Sequence, residues 1–176
     1  LLWCLSEISD DEEKSGALLA ISSELAKQGK VENAADAMQQ ALSCASGISS
    51  DIEKSTALVD ISTVLAKQGK VGDALECAKR IRKSYQKSEA LSCISTELAH
   101  QGKIQEAQTV MQKAFQCTNG ISEVGKKSEA LSTISTELAK QGNVQEAQIA
   151  MQSALEGASE IDDDWYRSSA LEAISI

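Results

Sequence analysis

Proline is absent from this chain, histidine occurs once, and only five side chains are aromatic: Trp3, Tyr85, Phe115, Trp165 and Tyr166. The missing proline removes the commonest helix breaker. The shortage of aromatics means that a core must be built from Ala, Leu, Ile, Val and Met, a palette that suits helices. No apolar run approaches the ~20 residues of a membrane-spanning helix. Basic charge is also short: formal net charge is −9 and the pI is about 4.7. Such a surface repels phosphate backbones, so nucleic acid and anionic membrane are disfavoured as partners. Cysteine is present but unpaired in pattern. Cys4, Cys44, Cys77, Cys93 and Cys117 are odd in number and form no CxxC pair. With one histidine, zinc has few ligands to draw on. The expectation is reduced, structural thiols in a cytoplasmic protein. The opening LLWCLSE has neither a basic leader nor an initiating Met, and reads as the start of a fragment rather than a signal peptide.

What the chain has is repetition. Residues 87–108, KSEALSCISTELAHQGKIQEAQ, and 127–148, KSEALSTISTELAKQGNVQEAQ, agree at 18 of 22 positions. The same block opens at Lys14 and Lys54, and a partial copy at Arg167. The expected organisation is one array: 1–13 the end of a preceding repeat, 14–53 repeat 1, 54–86 a short repeat 2, 87–126 repeat 3, 127–166 repeat 4, and 167–176 the start of another. Self-similarity at this period marks a solenoid, in which each unit buries its apolar faces against its neighbours.

Each repeat reads as two helices. Leu91, Ile94 and Leu98 have helical spacing, as do Leu131, Ile134 and Leu138. Gly29, Gly69, Gly102 and Gly142 then mark helix ends and turns. A second stripe follows: Val31, Ala34, Met38, Ala41, Ala45, Ile48 in repeat 1, and Val144, Ala147, Met151, Ala154, Ala158, Ile161 in repeat 4. The predicted pairs are 15–28/31–47, 54–68/71–82, 87–101/104–119 and 127–141/144–159, with further helices at 1–8 and 167–176. Repeat 2 is seven residues shorter than the others. Seven residues are nearly two helical turns, so the second helix of repeat 2 is expected to be about 10 Å shorter with its face preserved. Ile52, Tyr85 and Trp165 occupy one repeat position that reads as a hydrophobic staple onto the following helix.

Leu91, Ile94, Ser95, Leu98, Gly102, Ala107, Met111 and Ala114, and their equivalents in repeat 4, resemble the tetratricopeptide repeat in its long, roughly 40-residue form. The family's usual terminal proline is missing. The resemblance implies an all-α, right-handed solenoid of antiparallel helix pairs and a non-catalytic scaffold that binds a peptide or partner segment in a concave groove. The first helix of each repeat would line that groove. Candidate partner-binding residues are then a hydroxyl row, Ser23, Thr63, Thr96 and Thr136, and a basic row, Lys27, Lys67, His100 and Lys140. The expected partner is a protein or peptide, an acidic one included, with no nucleic acid, membrane or cofactor. The family's carboxylate clamp is not carried over, because Ser or Thr stands where it has Asn. Two alternatives stand beside this reading: a regulatory or targeting segment of a larger enzyme, and, from the similarity of QEAQTVMQKAFQCTNGI to pentatricopeptide repeats, a single-stranded RNA binder. The acidic charge opposes the second.

No Ser/His/Asp set, glycine-rich phosphate loop or EF-hand spacing appears, and the acidic runs Asp10–Glu13 and Asp162–Asp164 read as helix starts. Leu1, Leu2, Trp3 and Leu5 at one end, and Leu171, Ile174 and Ile176 at the other, are expected to be uncapped apolar surfaces covered by end-to-end self-association or by further repeats.

Overall fold

The computed structural model describes residues 9–161 together with Asp164, Arg167 and Ser168. Among these residues there are eight α-helices and no strand. They pack as sequential antiparallel pairs: α1 (Asp11–Lys27) with α2 (Val31–Gly47), α3 (Asp51–Lys67) with α4 (Val71–Lys79), α5 (Ser84–His100) with α6 (Ile104–Cys117), and α7 (Val124–Lys140) with α8 (Val144–Ser159). A single 3₁₀ turn, Thr118–Gly120, extends α6. The chain divides into two compact units between Lys83 and Ser84. The first holds α1–α4 and the second α5–α8. The expected helix at 1–8, all of the one at 167–176 but Arg167 and Ser168, which are helical, the apolar ends and Trp165 lie outside the described residues, as does Cys4.

Each first helix begins three or four residues earlier than the apolar periodicity predicts. The reason is in the polar linkers, which form the first helical turn. Asp10 caps α1 by accepting from the backbone N–H groups of Glu12 and Glu13 at 2.8 and 3.0 Å. Ser50 accepts from the N–H of Glu53 at 3.4 Å at the start of α3. The earlier start corrects the staple reading. Ile52 and Tyr85 fall inside α3 and α5 instead of before them, and Ile52 is 60% exposed.

At the other end of these helices the four turn glycines all have positive φ. That of Gly102 is +77°, a region closed to most side chains. The chain there reverses directly into α6, and the N–H of Lys103 closes the turn on the carbonyl of Leu98 at 2.9 Å.

The second helices bury alanine. Ala41, Ala45, Ala74, Ala78, Ala107, Ala114, Ala154 and Ala158 are fully buried, and the small side chain lets the paired backbones come close. That approach is used by serine. Ser22, Ser95 and Ser135 donate across the pair to the carbonyls of Ala34, Ala107 and Ala147 at 2.7–2.8 Å. Ser15 and Ser88 do the same to Ala41 and Ala114 at 3.1 Å. The first residue of the alanine stripe departs from expectation: Val31 and Val144 are 65% and 56% exposed, because the turn lifts them off the paired helix.

Helix α4 has nine residues against 17 in α2, a difference of about 12 Å at ~1.5 Å per residue. Its truncation leaves an open cleft of about 520 Å³ beside α2, lined among others by Met38, Leu42, Cys77 and Arg80. Arg80 donates to the Ser46 hydroxyl at 2.7 Å and so ties the end of α4 to the end of α2.

Candidate binding cleft

The basic row falls where the sequence puts it. Lys27, Lys67, His100 and Lys140 are the last residues of α1, α3, α5 and α7, a position favourable to cations. Three of them face a glutamate one turn back. Lys27 lies 3.7 Å from Glu24, His100 lies 3.9 Å from Glu97, and Lys140 lies 2.7 Å from Glu137. Lys67 differs, because Val64 stands at that place in α3. Neither Lys67 nor Lys70 has an ion-pair partner among the described residues.

The hydroxyl row is already engaged. Ser23, Thr63, Thr96 and Thr136 each donate to the carbonyl four residues earlier, on Leu19, Val59, Ser92 and Ser132, at 3.0–3.1 Å. With their single protons committed to the backbone, these oxygens offer lone pairs to a partner and little else.

Unit by unit, the candidates are brought together differently. In the first unit, Ser23, Lys27 and Lys67 share one open cleft of about 460 Å³ between α1 and α3. Ala26, Val31, Ala34 and Val64 give it an apolar lining, and Gln68 and Lys70 complete it. Thr63 does not line it. In the second unit the equivalent seam, between α5 and α7, is stitched shut. Thr96 shares its proton between the Ser92 carbonyl and the Glu137 carboxylate, 3.0 Å away on α7. Further along the seam the Tyr85 phenol donates to the carboxylate of Glu129. Burial first, and the carboxylates of Glu129, Glu89 and Glu123 after it, push the Tyr85 phenol up to about 12. Thr136 and Lys140 lie exposed at the end of α7, and His100 at the end of α5.

A further open cleft, of about 330 Å³, lies between the first half of α1 and the middle of α3 and is lined by Glu12, Glu13, Leu19, Thr56 and Asp60 among others. Asp60 is solvent-exposed, yet the cleft walls strip part of its hydration and raise its pKa.

Sequence reasoning missed the glutamines of the KQG turn. Gln141 is buried and donates to the Ser95 hydroxyl at 3.0 Å, and Gln68 does the same to Ser22 at 3.4 Å. The signal was available: glutamine stands at 28, 68, 101 and 141, one position in four copies.

The thiols are structural in their surroundings. Cys44, Cys77, Cys93 and Cys117 are reduced. Burial pushes the Cys77 thiol up to about 11, with Arg80 acting against it, and burial likewise raises Cys117. Among the described residues no group of three or more His, Cys, Asp or Glu side chains is arranged to hold a metal ion, and no helix is long and apolar enough to cross a membrane.

No family model matches the chain, and no curated protein matches it either. Among solved structures it is similar to Ton1535 from Thermococcus onnurineus NA1, at 20% identity and a TM-score of 0.49. The alignment covers 97% of this chain and 51% of that one, so the chain spans about half the length of that protein.

Proposed function

We propose that this chain is a long-repeat, tetratricopeptide-like array that acts as a non-catalytic protein-interaction scaffold in the cytoplasm, with the right-handed stacking that the resemblance implies. Its partner, a protein or peptide segment bearing carboxylates, lies along the first helices of the repeats. The observation that carries the reading is the cleft between α1 and α3, where Lys27, Lys67 and Lys70 surround an apolar lining. An apolar wall with a few convergent polar groups is the common form of a binding site. The half-buried and buried thiols support a reducing compartment.

The test uses the whole chain as bait and the triple variant Lys27→Glu, Lys67→Glu, Lys140→Glu as its control. Proteins retained by the parent and lost by the variant at moderate salt are the expected result, followed by calorimetry of each purified candidate. Exposed charge contacts contribute up to ~1 kcal/mol each, so affinity for a true partner should fall by an order of magnitude or more while helicity stays unchanged. A partner whose affinity is the same for both chains would place binding elsewhere.

A further inference from the structure

Two of the open clefts of the first unit lie on the same pair of helices, one turn apart. Leu19 lines the acidic one and Ser23 the basic one, a single turn apart on α1 and joined by the bond from the Ser23 hydroxyl to the Leu19 carbonyl. On α3, Asp60 and Val64 are the same single turn apart. The α1–α3 seam is therefore read as one groove with Glu12 and Glu13 at the start of α1, Asp60 at the middle of α3, and Lys27, Lys67 and Lys70 at its end. Because α2 returns the chain between them, α1 and α3 run parallel, and Lys27 and Lys67 close the two helices at matching ends.

Two residues of α3 create this polarity. The other three repeats carry glutamate at the position of Val64, and Ala20, Cys93 or Thr133 at the position of Asp60. Relative to its sister helices, α3 has its carboxylate displaced by one turn, away from the lysines and toward Glu12 and Glu13. The displacement leaves Lys67 without a counter-charge and removes the group that, as Glu137, closes the seam of the second unit onto Thr96. Helix dipoles favour Glu12 and Glu13 at a helix start and Lys27 and Lys67 at helix ends, and offset the fields of these charges only in part, since each helix end carries only about half a charge.

The geometry points to a docking groove for a short extended segment with its charges in two blocks, acidic at one end and basic at the other. This inference rests on the proposed scaffold role. The basic block lies over Glu12, Glu13 and Asp60, and the acidic block over Lys27, Lys67 and Lys70. Between the blocks, small or apolar side chains meet Leu19 and Val64, while backbone N–H groups donate to the Ser23 oxygen, which has only acceptor capacity left. Glu12 and Lys27 are separated by 15 residues of helix, about 22 Å at ~1.5 Å per residue. An extended chain at ~3.3 Å per residue covers that in about seven residues.

The experiment selects random heptapeptides displayed on phage against the whole chain and against the variant Asp60→Ala, Val64→Glu. That variant carries residues found at the same places in other repeats, and circular dichroism checks that its helicity is kept. The expected result is enrichment of peptides with segregated charge, which bind the parent at least about tenfold more tightly than peptides of the same composition in alternating order, and which the variant no longer enriches. Lys67→Glu alone should weaken the same peptides several-fold. Peptides without charge segregation that still depend on Val64 would overturn the two-block groove and leave the scaffold reading standing. Peptides that bind the variant as well as the parent would overturn the groove itself. Enrichment of no peptide at all would overturn both.

Discussion

The side-chain amide of Gln141, at the end of α7, donates to the hydroxyl of Ser95 on α5 at 3.0 Å, and Ser95 in turn donates to the carbonyl of Ala107 on α6 at 2.7 Å. Three helices from two repeats are joined by two bonds in series. The same relay, Gln68 to Ser22 to Ala34, joins α3, α1 and α2. The inter-repeat joint is thus polar at its centre, and the hydroxyl acts as both acceptor and donor.

Ser95→Ala should destabilise the protein by about 2 kcal/mol. It leaves the Gln141 amide without its acceptor in a buried site and takes from the Ala107 carbonyl its second bond, the helical one remaining, and a buried orphan costs about 1–3 kcal/mol before relaxation. Gln141→Leu should cost less, because it removes the donor together with an Oε1 that already lacks a partner and leaves the bond from Ser95 to Ala107 intact. Urea unfolding of both single variants and the double variant gives the order and the coupling. A larger loss for Gln141→Leu would contradict the relay.

Glu137→Val converts the closed seam of the second unit to the residue found in the open one. The change removes the contact from Thr96 and the 2.7 Å pair with Lys140. Hydrogen bonds to charged groups contribute about 1.5–3 kcal/mol when buried, and Glu137 is only partly buried, so a loss of about 1 kcal/mol is expected. In a cycle with Thr96→Val the second change should then have little further effect. Full additivity of the two losses would show that the contact across the seam contributes nothing.

Tyr85 makes the stability of the protein sensitive to alkali. Its phenol titrates near 10 when unfolded and is pushed up to about 12 in the fold. A raised folded pKa means that the stabilisation is complete below pH 10 and is lost as pH rises from 10 through about 12. In a Tyr166→Phe background Tyr85 is the single phenol, and its near-ultraviolet phenolate absorbance gives the midpoint directly. Glu129→Gln should lower that midpoint by removing the nearest charge. Equal midpoints in buffer and in urea would refute the assignment.

Cys77 should be the last thiol to react. It is 3% exposed, and its Sγ lies 3.5 Å from the Leu58 carbonyl. With its pKa pushed up to about 11, the thiolate that alkylating reagents need is scarce at neutral pH. Timed iodoacetamide labelling read by peptide mass spectrometry should show Cys44 and Cys93 modified before Cys77, and Cys77 modified promptly in urea. Early labelling of Cys77 in buffer would mean that α4 does not stay packed on α3.

The helix pairs were legible because leucine spacing, turn glycines and the alanine stripe repeat four times. The heptad deletion told where a helix would be short because helical phase tolerates loss of two turns. Helix starts were less legible. Asp10 and Ser50 act through side-chain bonds to the backbone, which apolar periodicity does not register, and the first turn of each helix is polar. The candidate rows at Ser23 and Lys27 were found as repeated positions. What gives the first unit its cleft is the opposite signal, Asp60 and Val64, two places where one repeat breaks the pattern. A reading that averages over repeats discards such differences.

The brevity of α4 has a consequence for how the protein breathes. Ser55 and Ser62, whose counterparts Ser15 and Ser88, and Ser22, Ser95 and Ser135, reach across to the partner helix, turn back to the carbonyls of Asp51 and Val59 in their own helix. Across this pair the Cys77 thiol donates to the Leu58 carbonyl, and a thiol is a weak donor. Cooperative opening starts where buried apolar contact and cross-links are fewest. Helix α4 should therefore exchange its amide hydrogens ahead of α2, α6 and the described length of α8, while the Ser–Ala bridged pairs stay folded.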